Sequence, residues 1–133
     1  GGGLEMAIAC DFRVATELAI LSSPELQHGW LHGWGGMARL RRLLGEVIAM
    51  KVVMLGEKIT AEKALEMGLL TMIDYGDQSS LNNLVGYLKK LDPEVFGLCK
   101  TAMMDPWLST KGGDVQFDVM AAKIAMNKNK QKK

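Results

Sequence analysis

Gly1-Gly2-Gly3-Leu4-Glu5-Met6-Ala7-Ile8-Ala9-Cys10-Asp11-Phe12-Arg13-Val14-Ala15 opens the chain. Its glycines run straight into an apolar helical pattern, with Leu4, Ile8 and Asp11 on one side and Met6 and Cys10 nearby, which predicts a short buried helix over residues 4–11. Glycines ahead of a helix leave a flexible start with free amide donors. A cloning scar would not merge so directly with a helix, so the chain is expected to begin inside a larger domain, with any targeting segment outside it. Phe12 to Thr16 alternates and is β-branched like a strand, and Ala19 to Leu21 reads as a second one.

Beyond these strands lies Ser22-Ser23-Pro24-Glu25, then a stretch from His28 to Gly36 in which glycines break every period, predicting a loop. From Gly36 the pattern turns helical, with Met37, Leu40 and Leu44 on one face and Gly45 as a stop. Ile48, Val52 and Leu55 mark the next helix, ended by Gly56. Thr60 is the expected cap of a helix running to Met67, with Glu62 at its positive end and Gly68 as its left-handed exit. Leu69 to Asp74 reads as a strand, and Leu81, Leu84, Leu88 and Leu91 as a helical stripe. Asp92-Pro93-Glu94 combines a cap, a first-position proline and an acid, so another helix starts there and runs to about Met104. A last helix is expected over residues 115–126. The ten methionines are expected to serve as adaptable core packing.

At 133 residues, 48% hydrophobic and 23% charged, the chain has the composition of one globular domain or part of one. No apolar run reaches the roughly 18–20 residues of a membrane-spanning helix. Cys10 and Cys99 fit neither a disulfide scaffold nor a zinc site, and an intracellular compartment, cytoplasmic or mitochondrial, is expected. No clustered set of His, Cys and acids suggests a metal. Five of the sixteen basic residues fall in the last eleven, which hold no acid, so a tail of +5 follows a body of −4. That body lacks the basic stripe of a nucleic-acid binder.

Glu5 sits in a helical first turn inside an apolar stretch, and Glu25 follows a proline at the close of an apolar segment. Alone, the first reads as a helix-dipole partner and the second as a turn residue. Their surroundings change that reading. The opening fifteen residues, then Ser23-Pro24-Glu25-Leu26 with Gly29, Gly33-Trp34-Gly35-Gly36 and Arg39-Leu40, and then Lys58 to Leu69 resemble, in order and spacing, the crotonase (enoyl-CoA hydratase/isomerase) superfamily.

The resemblance implies an α/β chain forming the C-terminal half of the ClpP/crotonase-like spiral of ββα units. Residues 1–75 would complete the core, and residues 76–133 would form a helical region and basic tail. The implied assembly is a homo-oligomer, a trimer or hexamer. The implied substrate is a coenzyme A thioester, with no other cofactor. Crotonases bind the thioester oxygen through two backbone amides as negative charge develops on it; Gly2 would supply one and a preceding segment the other. Losing one such donor costs roughly 3–4 kcal/mol, so the 133-residue chain alone is expected to be inactive. Hydratases of the family use two glutamates at the positions of Glu5 and Glu25, whereas many isomerases use only the second. The implied roles are Glu5 as water activator and Glu25 as proton donor to the α-carbon, with their pKa values pushed apart by proximity.

Departures from the family fall at His28, Trp30 and His32, where relatives carry small or aliphatic residues and a proline. Gly33 borders the reacting acyl end by resemblance. Trp30 is expected as a pocket wall or core filler. His32 is expected to bond backbone in a tight loop, with an extra acid/base or substrate-recognition role as the alternative. Lys123 and Lys128 are candidates for CoA phosphates. A hydratase is the leading reading. An isomerase, a decarboxylase or a non-catalytic truncated crotonase acting by association are the alternatives.

Overall fold

The computed structural model describes residues 1–104; the helix expected over 115–126, the basic tail, Lys123 and Lys128 lie outside the described residues. The opening helix α1 (Gly2–Ala7) starts two residues earlier than the apolar pattern suggests, because the Leu4 and Glu5 amides both bond to Gly1 O. It also stops sooner. Ala9 and Cys10 bond three residues back, to Met6 and Ala7, and this tightened turn leaves Asp11, Cys10 and Met6 exposed while Leu4 and Ile8 stay buried.

Two short strands follow, β1 (Val14–Thr16) and β2 (Ile20–Leu21). A 3₁₀ turn at Glu25–His28 closes on Gly29, whose φ of 71° is left-handed. Next come α2 (Gly36–Leu44) and α3 (Glu46–Met54), joined by Gly45 alone at φ 74° and packed on each other. β3 (Ile59–Thr60) leads into α4 (Ala61–Glu66), and β4 (Met72–Asp74) follows. β1 and β4 pair in parallel, Val14 opposite Met72 and Thr16 opposite Asp74. β2 and β3 pair antiparallel, Ile20 opposite Thr60. Parallel strands this distant in sequence need a crossover connection, and α2, α3 and α4 lie within it.

Leu69 and Leu70 are buried but are not strand. Both amides bond to Ala64 O, closing α4, so pairing begins only at Met72. Arg13 ties β1 to this turn: its Nε donates to Leu69 O at 2.6 Å, and its backbone amide donates to Thr71 Oγ1 at 3.0 Å. The core consists of Leu4 and Ile8 from α1 and its exit, Leu40 and Leu44 from α2, Ala49, Val52 and Val53 from α3, and Ile59, Ala61, Ala64, Leu69, Leu70 and Ile73.

Two core expectations are corrected. On α3 the buried face is Ala49, Val52 and Val53, while Leu55 is exposed and Ile48 lies at the surface. Nearly every residue of this helix is apolar, so periodicity cannot select a face, and the one-residue corner at Gly45 does. Most of the described methionines are not core filler either: none is buried, Met67 packs half-buried against the core, and Met6, Met37, Met50, Met54, Met103 and Met104 are exposed. Small and branched side chains fill the interior instead.

The chain divides into two compact units, Gly1–Leu84 and Val85–Lys133, with the division inside α5 (Ser79–Leu88). In the first unit, buried Asp74 anchors the start of α5 by accepting from the Gly76 and Gln78 amides at 3.0 and 2.9 Å. In the second, α6 (Pro93–Met104) begins as its Asp92-Pro93-Glu94 signature predicts, with Asp92 Oδ1 accepting from the Glu94 and Val95 amides at 3.0 and 3.2 Å. Among the described residues no helix is long and apolar enough to cross a membrane.

Candidate active site

α1 carries Glu5 inward. The residue is buried, and its Oε1 accepts from the Trp34 amide at 3.1 Å and the Gly36 amide at 2.8 Å. Gly36 is the first residue of α2, so this carboxylate caps one helix from another and meets the positive end of its dipole. No side chain fits at Gly36: a Cβ there would lie 2.7 Å from both Glu5 Oε1 and His32 Cδ2. Glu5 and His32 therefore flank the same Cα.

The 3₁₀ turn carries Glu25, whose side chain keeps 14% of its exposure. Its Oε2 accepts from Ser23 Oγ at 3.2 Å and lies 3.2 Å from His32 Nε2. His32 Nε2 is also hydrogen-bonded to Ser23 Oγ, so the three side chains close on one another. His32 thus bonds side chains, not the backbone expected for it, because the loop turns its ring inward to 1% side-chain exposure. Its Nδ1 is buried without a hydrogen-bond partner, as is Glu25 Oε1.

Burial raises the Glu25 carboxyl. The bond from its own backbone amide, the positive charge on Gly1, the His32 ring and the Ser23 hydroxyl lower it, and together they prevail, holding it below the ordinary value. The two acids are linked through one side chain: Glu5 shares the Gly36 Cα with His32, and His32 reaches Glu25.

The glycine run lies alongside. The Gly2 amide stands at the open end of α1, ahead of the first bonded amides. Gly1 N donates to Ser22 O and lies 3.5 Å from Glu25 Oε1, and a Cβ on Gly1 would come within 3.8 Å of that same oxygen. A Cβ on Gly2 would sit 3.4 Å from Trp34 Cζ3, so the indole covers this glycine.

Other residues singled out from sequence sit differently. Trp30 is 72% exposed and is not core filler, since the left-handed turn at Gly29 leaves the following residues on the outside. Gly33 is exposed, with open space around its Cα. Three participants escaped the sequence reading: Ser23, Trp34 and Gly36. Ser23 had a visible signal, a hydroxyl two residues before Glu25, and Gly36 stood at a helix start. That their partners would be Glu5, Glu25 and His32 is not written locally. A separate hollow of about 480 Å³, lined among others by Phe12, Val14, Asp74 and Leu84, shares no residue with this site.

Comparison with known proteins defines the class. The family model for Enoyl-CoA hydratase/isomerase matches residues 1–133, and the chain belongs to that family. It is 47% identical over 70 residues to YngF of Bacillus subtilis, a protein named for enoyl-CoA hydratase/isomerase; the match takes in 53% of this chain and 27% of that protein. Among solved structures it resembles an enoyl-CoA hydratase subunit from Geobacillus kaustophilus, with TM-score 0.85 and 27% identity, covering 99% of this chain and 52% of that one. It also resembles an enoyl-CoA hydratase from Bacillus anthracis, with TM-score 0.84 and 29% identity, covering 92% of this chain and 48% of that one. The chain thus spans about half the length of these solved relatives. Its architecture is a partial crotonase fold, α/β with C-terminal helices.

Proposed function

We propose that the whole protein is an acyl-CoA enzyme that adds water across the 2,3-double bond of an enoyl thioester, and removes it in reverse. The observation that carries this reading is that buried Glu5 and His32 flank Gly36 while the same His32 reaches half-buried Glu25, beside the start of α1. The Gly2 amide is one donor to the thioester oxygen, where a fixed N–H is worth roughly 3–4 kcal/mol to the developing oxyanion. Glu25 handles the proton of the α-carbon. As a carboxylate it takes the α-proton in dehydration and, once protonated, returns it in hydration. Glu5 activates the water.

One observation favours a second reading. Glu5 Oε1 is already engaged by two amides, a structural task sufficient to account for a buried glutamate. An isomerase or decarboxylase would then use Glu25 alone. Hydration of a four-carbon enoyl-CoA by Glu25→Gln and Glu5→Gln separates them. We expect each to lose about a hundredfold or more in kcat. Full turnover in Glu5→Gln would remove Glu5 as the water activator and leave a one-carboxylate mechanism.

A further inference from the structure

Glu25 presents two unlike oxygens. Oε2 is fastened by Ser23 Oγ and approached by His32 Nε2, both at 3.2 Å. Oε1 is buried, accepts no hydrogen bond, and faces the glycine run, 3.5 Å from Gly1 N. A buried carboxylate oxygen left without a donor is costly unless something else comes to it. We propose that His32, together with Ser23, is a positioning residue for Glu25: the pair anchors Oε2 and thereby aims Oε1 at the α-carbon of the bound thioester.

The donors run in one consistent order. His32 Nε2–H donates to Ser23 Oγ, and Ser23 O–H donates to Glu25 Oε2. Glu25 then only accepts, as a carboxylate must. With Oε2 held from behind, rotation of the carboxyl group is stopped and Oε1 points in one direction. In the dehydrating direction Oε1 takes the α-proton, forming an O–H bond. The C–H pair moves into the Cα–carbonyl bond, and the carbonyl becomes an enolate oxygen held by the Gly2 amide. That enolate expels the β-hydroxyl, which leaves as water with the proton that Glu5 carries at the start of this direction, so Glu5 ends as the carboxylate and Glu25 as the acid. The order reverses for hydration. Polar atoms around Glu25 belong to Ser23, His32 and Gly1, with Glu5 across Gly36, and of these Ser23 and His32 are the side chains that reach Oε2.

This inference rests on the acyl-CoA reading, and two measurements keep the fates of the two ideas apart. In the whole protein, with a four-carbon enoyl-CoA, His32→Leu should lower kcat by about tenfold to a hundredfold, the usual cost of a misaimed group, and leave KM nearly unchanged. The acid limb of kcat/KM should move to higher pH. His32→Gln, which keeps an N–H donor, should restore most of the activity, and Ser23→Ala should weaken kcat in the same sense. Unchanged kcat in His32→Leu, or no rescue by His32→Gln, overturns the proposal; if His32→Leu does not fold, Ser23→Ala with full kcat does the same. Should the unsubstituted protein turn over no enoyl thioester, the function reading falls, and the anchoring is judged by the Glu25 side-chain carbon signal in NMR. Its titration midpoint must rise in His32→Leu and return in His32→Gln, and a midpoint unmoved in His32→Leu overturns the anchoring itself.

Discussion

Gly36 has no side chain, and the site depends on that. Adding one methyl would place it 2.7 Å from both Glu5 Oε1 and His32 Cδ2, closer than real contacts allow, so Gly36→Ala must push two buried side chains aside. We expect a loss of about 1–3 kcal/mol in urea unfolding, the ordinary cost of overpacking. Gly2→Ala should cost less stability, since its methyl would meet only the Trp34 ring at 3.4 Å, and that indole is 65% exposed and has room to move. Glu25 contributes a pH dependence. Its carboxyl is depressed in the folded state, so its contribution to stability is complete above the ordinary value of 4.5 and is lost as pH falls below it. Unfolding of the 133-residue chain and of its Glu25→Gln variant between neutral and acid pH should show the unsubstituted chain weakening more steeply below that point. At this scale Gly2, Glu5 and Glu25 were legible, because a glycine run, an acid in an apolar first turn and a Pro-Glu pair are local patterns. The hydrogen bonds that hold Glu5 were not, because it is bonded by residues 29 and 31 positions away.

Among the elements, those whose ends are set by neighbours in sequence formed as expected. Thr60 caps α4 by accepting from the Lys63 amide at 3.3 Å. Thr60→Ala should lose about 1 kcal/mol in urea unfolding, while Thr60→Ser should keep most of the cap. The Gly45 and Gly68 stops and the Asp92 cap work through the same short-range chemistry. The face of α3 does not. A helix apolar almost all round carries no instruction about which side is inside, and the turn at Gly45 and contact with α2 supply it. Likewise β4 is shorter than its apolar run because the Leu69 and Leu70 amides are spent on Ala64 O.

For the molecule as a whole, the test of the core is a pair of leucines that look equivalent in sequence. Leu40 is 1% exposed and Leu55 is 68% exposed. Leu40→Ala should cost about 2–5 kcal/mol in denaturant unfolding, as cavity-forming core truncations do. Leu55→Ala should stay within about 0.5 kcal/mol, as surface changes do. The amino-acid order by itself determined the Thr60 cap of α4, the start of α6, the stops at Gly45 and Gly68 and the family, since caps, turns and motif spacing act over a few residues. Only the tertiary structure decided which leucines are buried, that most of the described methionines lie outside, and that Ser23 and His32 close on Glu25. Burial depends on segments brought together across twenty to sixty positions of chain, and the Ser23, Glu25 and His32 contacts on how an irregular loop folds back over nine, where no periodic preference reaches.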